Sequence, residues 1–199
     1  LDICILIFAA GSASRMGKTK QLLWFQNSTL LQNTISQGLV SKAKNVYCVL
    51  GANSETIKNQ VTSNQVTFID NVNWKEGLSS SIVAGINYVL SLENIPDAVL
   101  IMLADQPFVD SDYLDLLMDT YHANSDRVIA SDYVNKNGVP AIFPKKHFNS
   151  LLKLNGDKGA KTLLNSDDTN ILSILPTHKE TLMDIDSPED YVKLLKGKF

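Results

Sequence analysis

Ile3-Cys4-Ile5-Leu6-Ile7-Phe8-Ala9-Ala10-Gly11-Ser12-Ala13-Ser14-Arg15-Met16-Gly17-Lys18-Thr19-Lys20 opens with an unbroken apolar run and changes character at Gly11. An apolar run this short, stopped by glycine, is the pattern of a strand buried on both faces. The small residues that follow let the backbone approach an anion closely, with its N–H groups turned toward it. Arg15, Lys18 and Lys20 add three positive charges within six residues. A phosphate grip and a solvated basic loop are the two readings of such a turn, and its place directly after a buried strand favours the first.

Outward from this turn, strand-like runs alternate with amphipathic stretches. The pattern predicts helices over 29–40, 54–61, 79–92 and 113–121, separated by strands at 46–50, 66–69 and 98–103. Further strands are expected at 128–130 and 139–143, and short helices at 146–152 and 158–164. Ser187-Pro188-Glu189-Asp190 opens a last helix, with a serine cap, proline at the first helical position and acids at the positive helix end. Strand–helix alternation predicts one three-layer α/β/α domain over residues 1–199, its mostly parallel sheet covered by helices on both faces. No repeat, low-complexity tract or linker interrupts it.

Composition sets limits on function. At 199 residues, 44% hydrophobic and 20% charged, the chain has the make-up of a soluble globular protein. A formal net charge of -3 speaks against coating a nucleic acid, while a few placed cations suffice for one triphosphate. Cys4 and Cys48 lie in apolar strand-like runs and read as buried small hydrophobes rather than a disulfide framework. No signal-peptide pattern and no run of about 18 apolar residues occurs, so a cytoplasmic protein without a membrane span is expected.

Ligands in such folds sit at the carboxyl ends of the strands. The Gly11–Lys20 turn comes close to a P-loop, but that fingerprint needs four residues between its first glycine and the Gly-Lys pair, and here there are five, Ser12 to Met16. No G-x-G-x-x-G fingerprint follows the first strand either. A second loop, Leu103-Ala104-Asp105-Gln106-Pro107, sets a carboxylate at the end of an apolar strand, where it can hold a hard cation with phosphate oxygens completing the shell. The competing role for Asp105 is a helix cap, for which Asp110 and Ser111 are better placed. A third loop, 71–81, leads into a helix through Gly77 and Ser79-Ser80-Ser81, which suits either a base and ribose contact or ordinary capping.

In this order and spacing the three loops resemble the molybdopterin nucleotidyltransferase group of the glycosyltransferase-A-like (nucleotide-diphospho-sugar transferase) fold, and within it the molybdenum-cofactor cytidylyltransferases. The stretches that carry the resemblance are F-A-A-G-S-A-S-R-M-G-K-T-K-Q-L-L, N-V-N-W-K-E-G-L-S-S-S-I-V-A-G, A-D-Q-P-F-V, G-V-P-A-I-F, L-N-G-D-K-G-A-K-T-L-L and D-I-D-S-P-E-D, spread from residue 8 to 190. The first of them marks only the broad class; its combination with A-D-Q-P-F and G-D-K-G-A-K is more specific. The resemblance implies that Ala9, Ala10 and Gly11 lie against the nucleotide, with Arg15 and Lys20 on its phosphates. Gly77 and Ser81 match positions on the base and ribose side, Asp105 the magnesium ligand, and Asp186 a second metal contact; from the residues alone Asp186 reads equally as a loop acid before the capped last helix. Gly156-Asp157-Lys158-Gly159 matches a segment near the acceptor; from the residues alone it reads as a turn between two helices.

Two departures stand out. The family often has a polar residue inside its G-x-P strand, where this chain has Gly138-Val139-Pro140-Ala141, so a polar contact to the acceptor is lost there. Ala9-Ala10-Gly11 resembles the cytidylyl branch rather than the Ala-Gly-Gly of the guanylyl branch. The resemblance therefore implies a magnesium-dependent enzyme with CTP as donor (GTP the alternative), and molybdopterin or molybdenum cofactor as acceptor. A molybdoenzyme or its maturation factor is the protein partner such an enzyme implies. Arg15, Lys20 and Asp105 are its expected catalytic groups. His122, His147 and His178 show neither metal-ligand nor triad spacing.

Overall fold

The computed structural model describes residues 1–11, 19–61 and 63–197. The opening apolar run forms strand β1 (Ile3–Ala9), buried along its whole length. A small hairpin follows, β2 (Trp24–Phe25) and β3 (Ser28–Thr29), and then α1 (Leu30–Val40), β4 (Asn45–Leu50), α2 (Ser54–Gln60) and β5 (Val66–Asp70). The middle of the chain supplies α3 (Leu78–Leu90), β6 (Ala98–Leu103), α4 (Ser111–Ala123), β7 (Val128–Asp132) and β8 (Asn137–Pro144). It ends with α5 (Phe148–Leu151), α6 (Lys161–Leu164), β9 (Ile171–Ile174) and α7 (Pro188–Leu195).

Seven strands form one sheet in the order β5-β4-β1-β6-β8-β7-β9. Pairing is parallel except where β8 meets β6 and β7. The sheet is therefore mostly parallel, as the alternation predicts. The register places Ala9 opposite Leu50 and Phe8 opposite Leu103, so β1, β4 and β6 finish level with one another. The loops that leave these strands must gather along one edge.

The three layers follow from strand periodicity, since successive side chains point to opposite faces. Ile3, Ile5, Ile7 and Ala9 join a core with Leu31 and Ile35 of α1, Ile57 of α2, and Leu114 and Leu117 of α4. Cys4, Leu6 and Phe8 face the other way, against Ile82, Ile86 and Val89 of α3 and Phe148 and Leu151 of α5. Cys4 and Cys48 lie in these separate cores, each free and buried. Among the described residues no helix is long and apolar enough to cross a membrane.

Helix starts agree with the sequence in two places and differ in a third. Asp110 caps α4 by accepting from Tyr113 N, and Ser187 and Asp190 form a capping box at α7, with Pro188 beside it. Such caps contribute about 1 kcal/mol each. At α3 no serine acts as cap. Gly77 holds the cap position at φ 96°, ψ 179°, and Ser80 Oγ instead donates back to the carbonyls of Gly77 and Asn73. The helix expected over 158–164 shortens to Lys161–Leu164 because Gly159 turns the chain at φ 55°. The one expected over 146–152 begins as a 3-10 turn, Lys145–His147, and is α-helical only at Phe148–Leu151.

Candidate active site

Lys20 begins a short 3-10 turn, and its ammonium reaches across to two carboxylates from distant parts of the chain. Its Nζ lies 2.7 Å from Asp105 Oδ2 and 3.0 Å from Asp186 Oδ1. The loops carrying those acids are tied together independently, since Ile185 N donates to the carbonyl of Asp105 at 2.9 Å. Burial works against the charge on Lys20, but Asp105 and Asp186 outweigh it and raise its pKa above the ordinary lysine value. Asp105 is thus an ion-pair partner rather than a helix cap. Its second oxygen, Oδ1, is buried and has no partner among the described residues.

The residue after Lys20 fixes the start of the turn. Gln21 is buried, and its Nε2 donates to the carbonyls of Ala9 (2.7 Å) and Gly11 (3.0 Å). From the far side, Gly51 lets β4 come close: a Cβ there would lie 2.5 Å from Trp74 Cβ and 2.8 Å from the Ala10 carbonyl oxygen. Arg15, expected on the phosphates, lies outside the described residues, as does Lys18.

Two clefts open in front of this cluster. The first, of about 380 Å³, is lined by Ala10, Gly11, Gly77, Ser81 and Asp105, with Trp74 and Lys75 above them. Five of the residues expected to bind nucleotide therefore share one cavity. Ala9 does not reach it; with Lys20 and Gln21 it lines a smaller pocket behind Gly11. Ser81 forms floor rather than wall, since it is 1% exposed and its Oγ accepts from Asn71 Nδ2 at 3.0 Å.

The second cleft, of about 110 Å³, shares Phe8, Leu78, Leu103 and Asp157 with the first, so the two adjoin. Lys136, Lys158 and Lys161 line it, none with a carboxylate partner among the described residues. Gly156 and Asp157 pack on the first turn of α3, where Ser79 N donates to the Gly156 carbonyl at 3.1 Å. The G-D-K-G segment is both a turn and the partition between the clefts.

Gln106, Tyr133 and Asp184 were not expected here. Gln106 is 1% exposed, and its Nε2 donates to Tyr133 Oη and to Asp184 Oδ1, each at 2.9 Å. Tyr133 Oη in turn donates to the carbonyl of Val139 at 2.6 Å. The polar group missing from Gly138-Val139-Pro140 is thus replaced by a phenol from the preceding strand end. The available hint was an uncharged amide set between Asp105 and Pro107, with no partner visible in sequence.

Asp184 lines the second cleft and keeps an exposed face to solvent. Desolvation, with Asp105 and Asp186 nearby, raises its pKa from 3.8 to about 6 despite the Gln106 hydrogen bond. The native state then binds more protons than the unfolded chain between about pH 4 and 6, so stability falls as pH rises through that window and stays lower above it. Asp184→Asn removes this penalty. It is expected to raise Tm at pH 7.5 in EDTA and to leave Tm unchanged below pH 4, read by calorimetry; an equal shift at both pH values defeats this account.

The donor set suits a hard divalent cation. Asp105 offers a buried free oxygen and Asp186 an accessible carboxylate, both within reach of one ammonium. No group of three or more His, Cys, Asp or Glu that could hold a metal occurs among the described residues. Magnesium fits such a site, because it commonly takes one or two carboxylates and completes its shell with substrate phosphates and water.

Fold and site together define an α/β protein with a lysine bridging an acid pair at the carboxyl edge of its sheet. Residues 5–171 match the MobA-like NTP transferase domain, and the chain belongs to that family. It is similar over nearly its whole length to two characterised proteins. One is nicotine blue oxidoreductase of Paenarthrobacter nicotinovorans, 24% identical over 96% of this chain and 95% of that protein. The other is the molybdenum cofactor cytidylyltransferase of Escherichia coli K12, 22% identical over 94% of this chain and 92% of that one. Rv0371c of Mycobacterium tuberculosis H37Rv, solved in complex with manganese, shares the fold with a TM-score of 0.78, at 22% identity over 98% of each chain. The chain is accordingly an enzyme of the nucleotidyltransferase type.

Proposed function

We propose that the enzyme transfers CMP from CTP to the phosphate of molybdopterin or molybdenum cofactor, with magnesium, releasing pyrophosphate. The observation that carries the reading is the Lys20–Asp105–Asp186 cluster, whose Asp105 lines the first of two adjoining clefts. The first cleft offers glycine-rich backbone and Lys75 to a nucleoside triphosphate. The second offers apolar walls and three lysines that have no carboxylate partner among the described residues to a phosphorylated acceptor. The Escherichia coli relative supports this acceptor, and the manganese of the Mycobacterium tuberculosis structure supports a divalent cation.

Charge drives the chemistry. An acceptor phosphate oxygen attacks the α-phosphorus, the bond from that phosphorus to the bridging oxygen breaks, and pyrophosphate leaves with the electron pair. A phosphate nucleophile is already ionised near pH 7, so no general base is needed. Asp105 and Asp186 would hold magnesium, which supplies compensation for the negative charge of the phosphates when bound. Lys20, beside the same acid pair, would compensate the same charge, and Arg15 is expected to join it. Gly11 and Gly77 keep the cleft walls open to the substrate.

Pyrophosphate release tests the proposal, measured with each NTP in turn and with molybdopterin or sugar and polyol phosphates as acceptors. The fastest release is expected with CTP and molybdopterin. Faster release with GTP would reassign the base, and a preference for a sugar phosphate would reassign the acceptor. No release with any combination would leave a nucleotide-binding partner in cofactor insertion as the better reading.

A further inference from the structure

Lys20 has two demands on a single charge. Its ammonium bridges Asp105 at 2.7 Å and Asp186 at 3.0 Å, and it is the group expected on the phosphates in the adjoining cleft. The contact with Asp105 is not a loose surface pair, because the Lys20 and Asp105 side chains are only 16% and 21% exposed, whereas Asp186 is 61% exposed. Attraction and repulsion between charges are much stronger in such a setting than in bulk water.

We propose that Lys20 and a divalent cation compete for the same two carboxylates, and that the triphosphate resolves the competition by drawing Lys20 onto its phosphates. The inference rests on the assignment of Asp105 and Asp186 as metal-holding residues under Proposed function. Two carboxylates and one ammonium sum to a single negative charge. A divalent cation added beside a Lys20 that stays in place holds ammonium and metal a few ångströms apart, a repulsion that the nearby Asp184 offsets only in part. A triphosphate removes that conflict by giving Lys20 another anionic partner and by adding oxygens to the metal shell. Metal and nucleotide then strengthen each other's binding, by the same factor in both directions. Lys20 is the element that couples them. Without it, the acid pair is free for a metal at any time.

Manganese alone serves as probe, with free Mn²⁺ followed by its paramagnetic resonance signal. Titrations use the wild-type chain, Lys20→Met, Lys20→Gln and Lys75→Met, each with and without α,β-methylene CTP (or its GTP counterpart). In the wild type, the nucleotide analogue should tighten Mn²⁺ binding about tenfold. Both Lys20 variants should bind Mn²⁺ alone about tenfold more tightly than the wild type, and the gain from nucleotide should shrink by a similar factor. Either variant suffices if the other fails to fold. Lys75→Met makes the same charge change in the adjoining cleft without touching the carboxylates, and should tighten Mn²⁺ binding far less. The proposal is overturned if the Lys20 variants bind Mn²⁺ no more tightly than the wild type, or if Lys75→Met matches them. Unchanged Mn²⁺ binding in Asp105→Asn is a separate result, which removes the metal assignment itself.

Discussion

Asp105→Asn is expected to lower kcat/KM for nucleotidyl transfer by about 10²- to 10³-fold while the protein remains folded. The substitution keeps the size and shape of the side chain and removes only its charge. Two consequences follow at the site. The hard oxygen donors offered to magnesium fall from two carboxylates to one, and the remaining one, Asp186, is 61% exposed. Lys20 also loses the closer of its two partners, so its resting position at the site is no longer set. Loss of one fixed electrostatic contact to a developing transition-state charge is commonly worth about 10²- to 10³-fold in rate. The stability effect is smaller, because the lost hydrogen bond between charged groups contributes about 1.5–3 kcal/mol and the amide still offers an acceptor. Lys20→Ala should fall in the same range. Pyrophosphate release over a series of magnesium concentrations, with Tm measured on the same samples, checks both variants. Near-normal kcat/KM in the two of them would sink the assignment of the cluster as catalytic.

Much of this arrangement was legible in the sequence, and the boundary of legibility has a physical cause. β1 and β6 declare themselves as apolar runs, and their parallel pairing follows from the helices between them. The loops after them were expected to converge, and the level ends of β1, β4 and β6 explain why they do. Ala10, Gly11, Gly77, Ser81 and Asp105 were expected around the nucleotide, and they line one cleft. The sequence does not show pairing between residues far apart. Gln106 looks like a neutral spacer until the bonds to Tyr133 and Asp184 are seen. Asp186 and Lys20 meet across 166 positions, and nothing local marks them as partners. Short elements escaped for a related reason. β9 pairs only with β7 at the sheet edge, and its four residues are too few and too half-buried for a period to emerge. At α3 the serines looked like caps because capping chemistry is local, whereas the need for Gly77 comes from Gly156 and Asp157 packed against it.

That packing makes Gly77→Ala the most damaging small substitution in the wall between the clefts. The backbone at Gly77, φ 96° and ψ 179°, lies in a region open essentially to glycine, and forcing alanine into it costs about 1–3 kcal/mol. Sterics add to this. A Cβ at Gly77 would lie 2.2 Å from Asp157 Oδ1 and 2.8 Å from both the carbonyl carbon and oxygen of Gly156. Asp157 could rotate away, but the Gly156 backbone is held by its hydrogen bond from Ser79 N. The start of α3 and the 156–159 segment must therefore separate, and together they form the partition shared by the two clefts. A combined cost of about 3 kcal/mol corresponds to a fall in Tm of roughly 6–12 °C for a chain of this size. KM should rise for the nucleotide and for the acceptor together, since one wall serves both. Gly156→Ala separates strain from contact, because Gly156 also has positive φ (68°) but no atom of the described residues within 4 Å of an added Cβ. That variant should lose only about 1 kcal/mol and leave both KM values close to wild type. Equal losses of Tm in the two alanine variants would show that backbone conformation alone, and not the close approach of the two loops, makes glycine necessary at position 77.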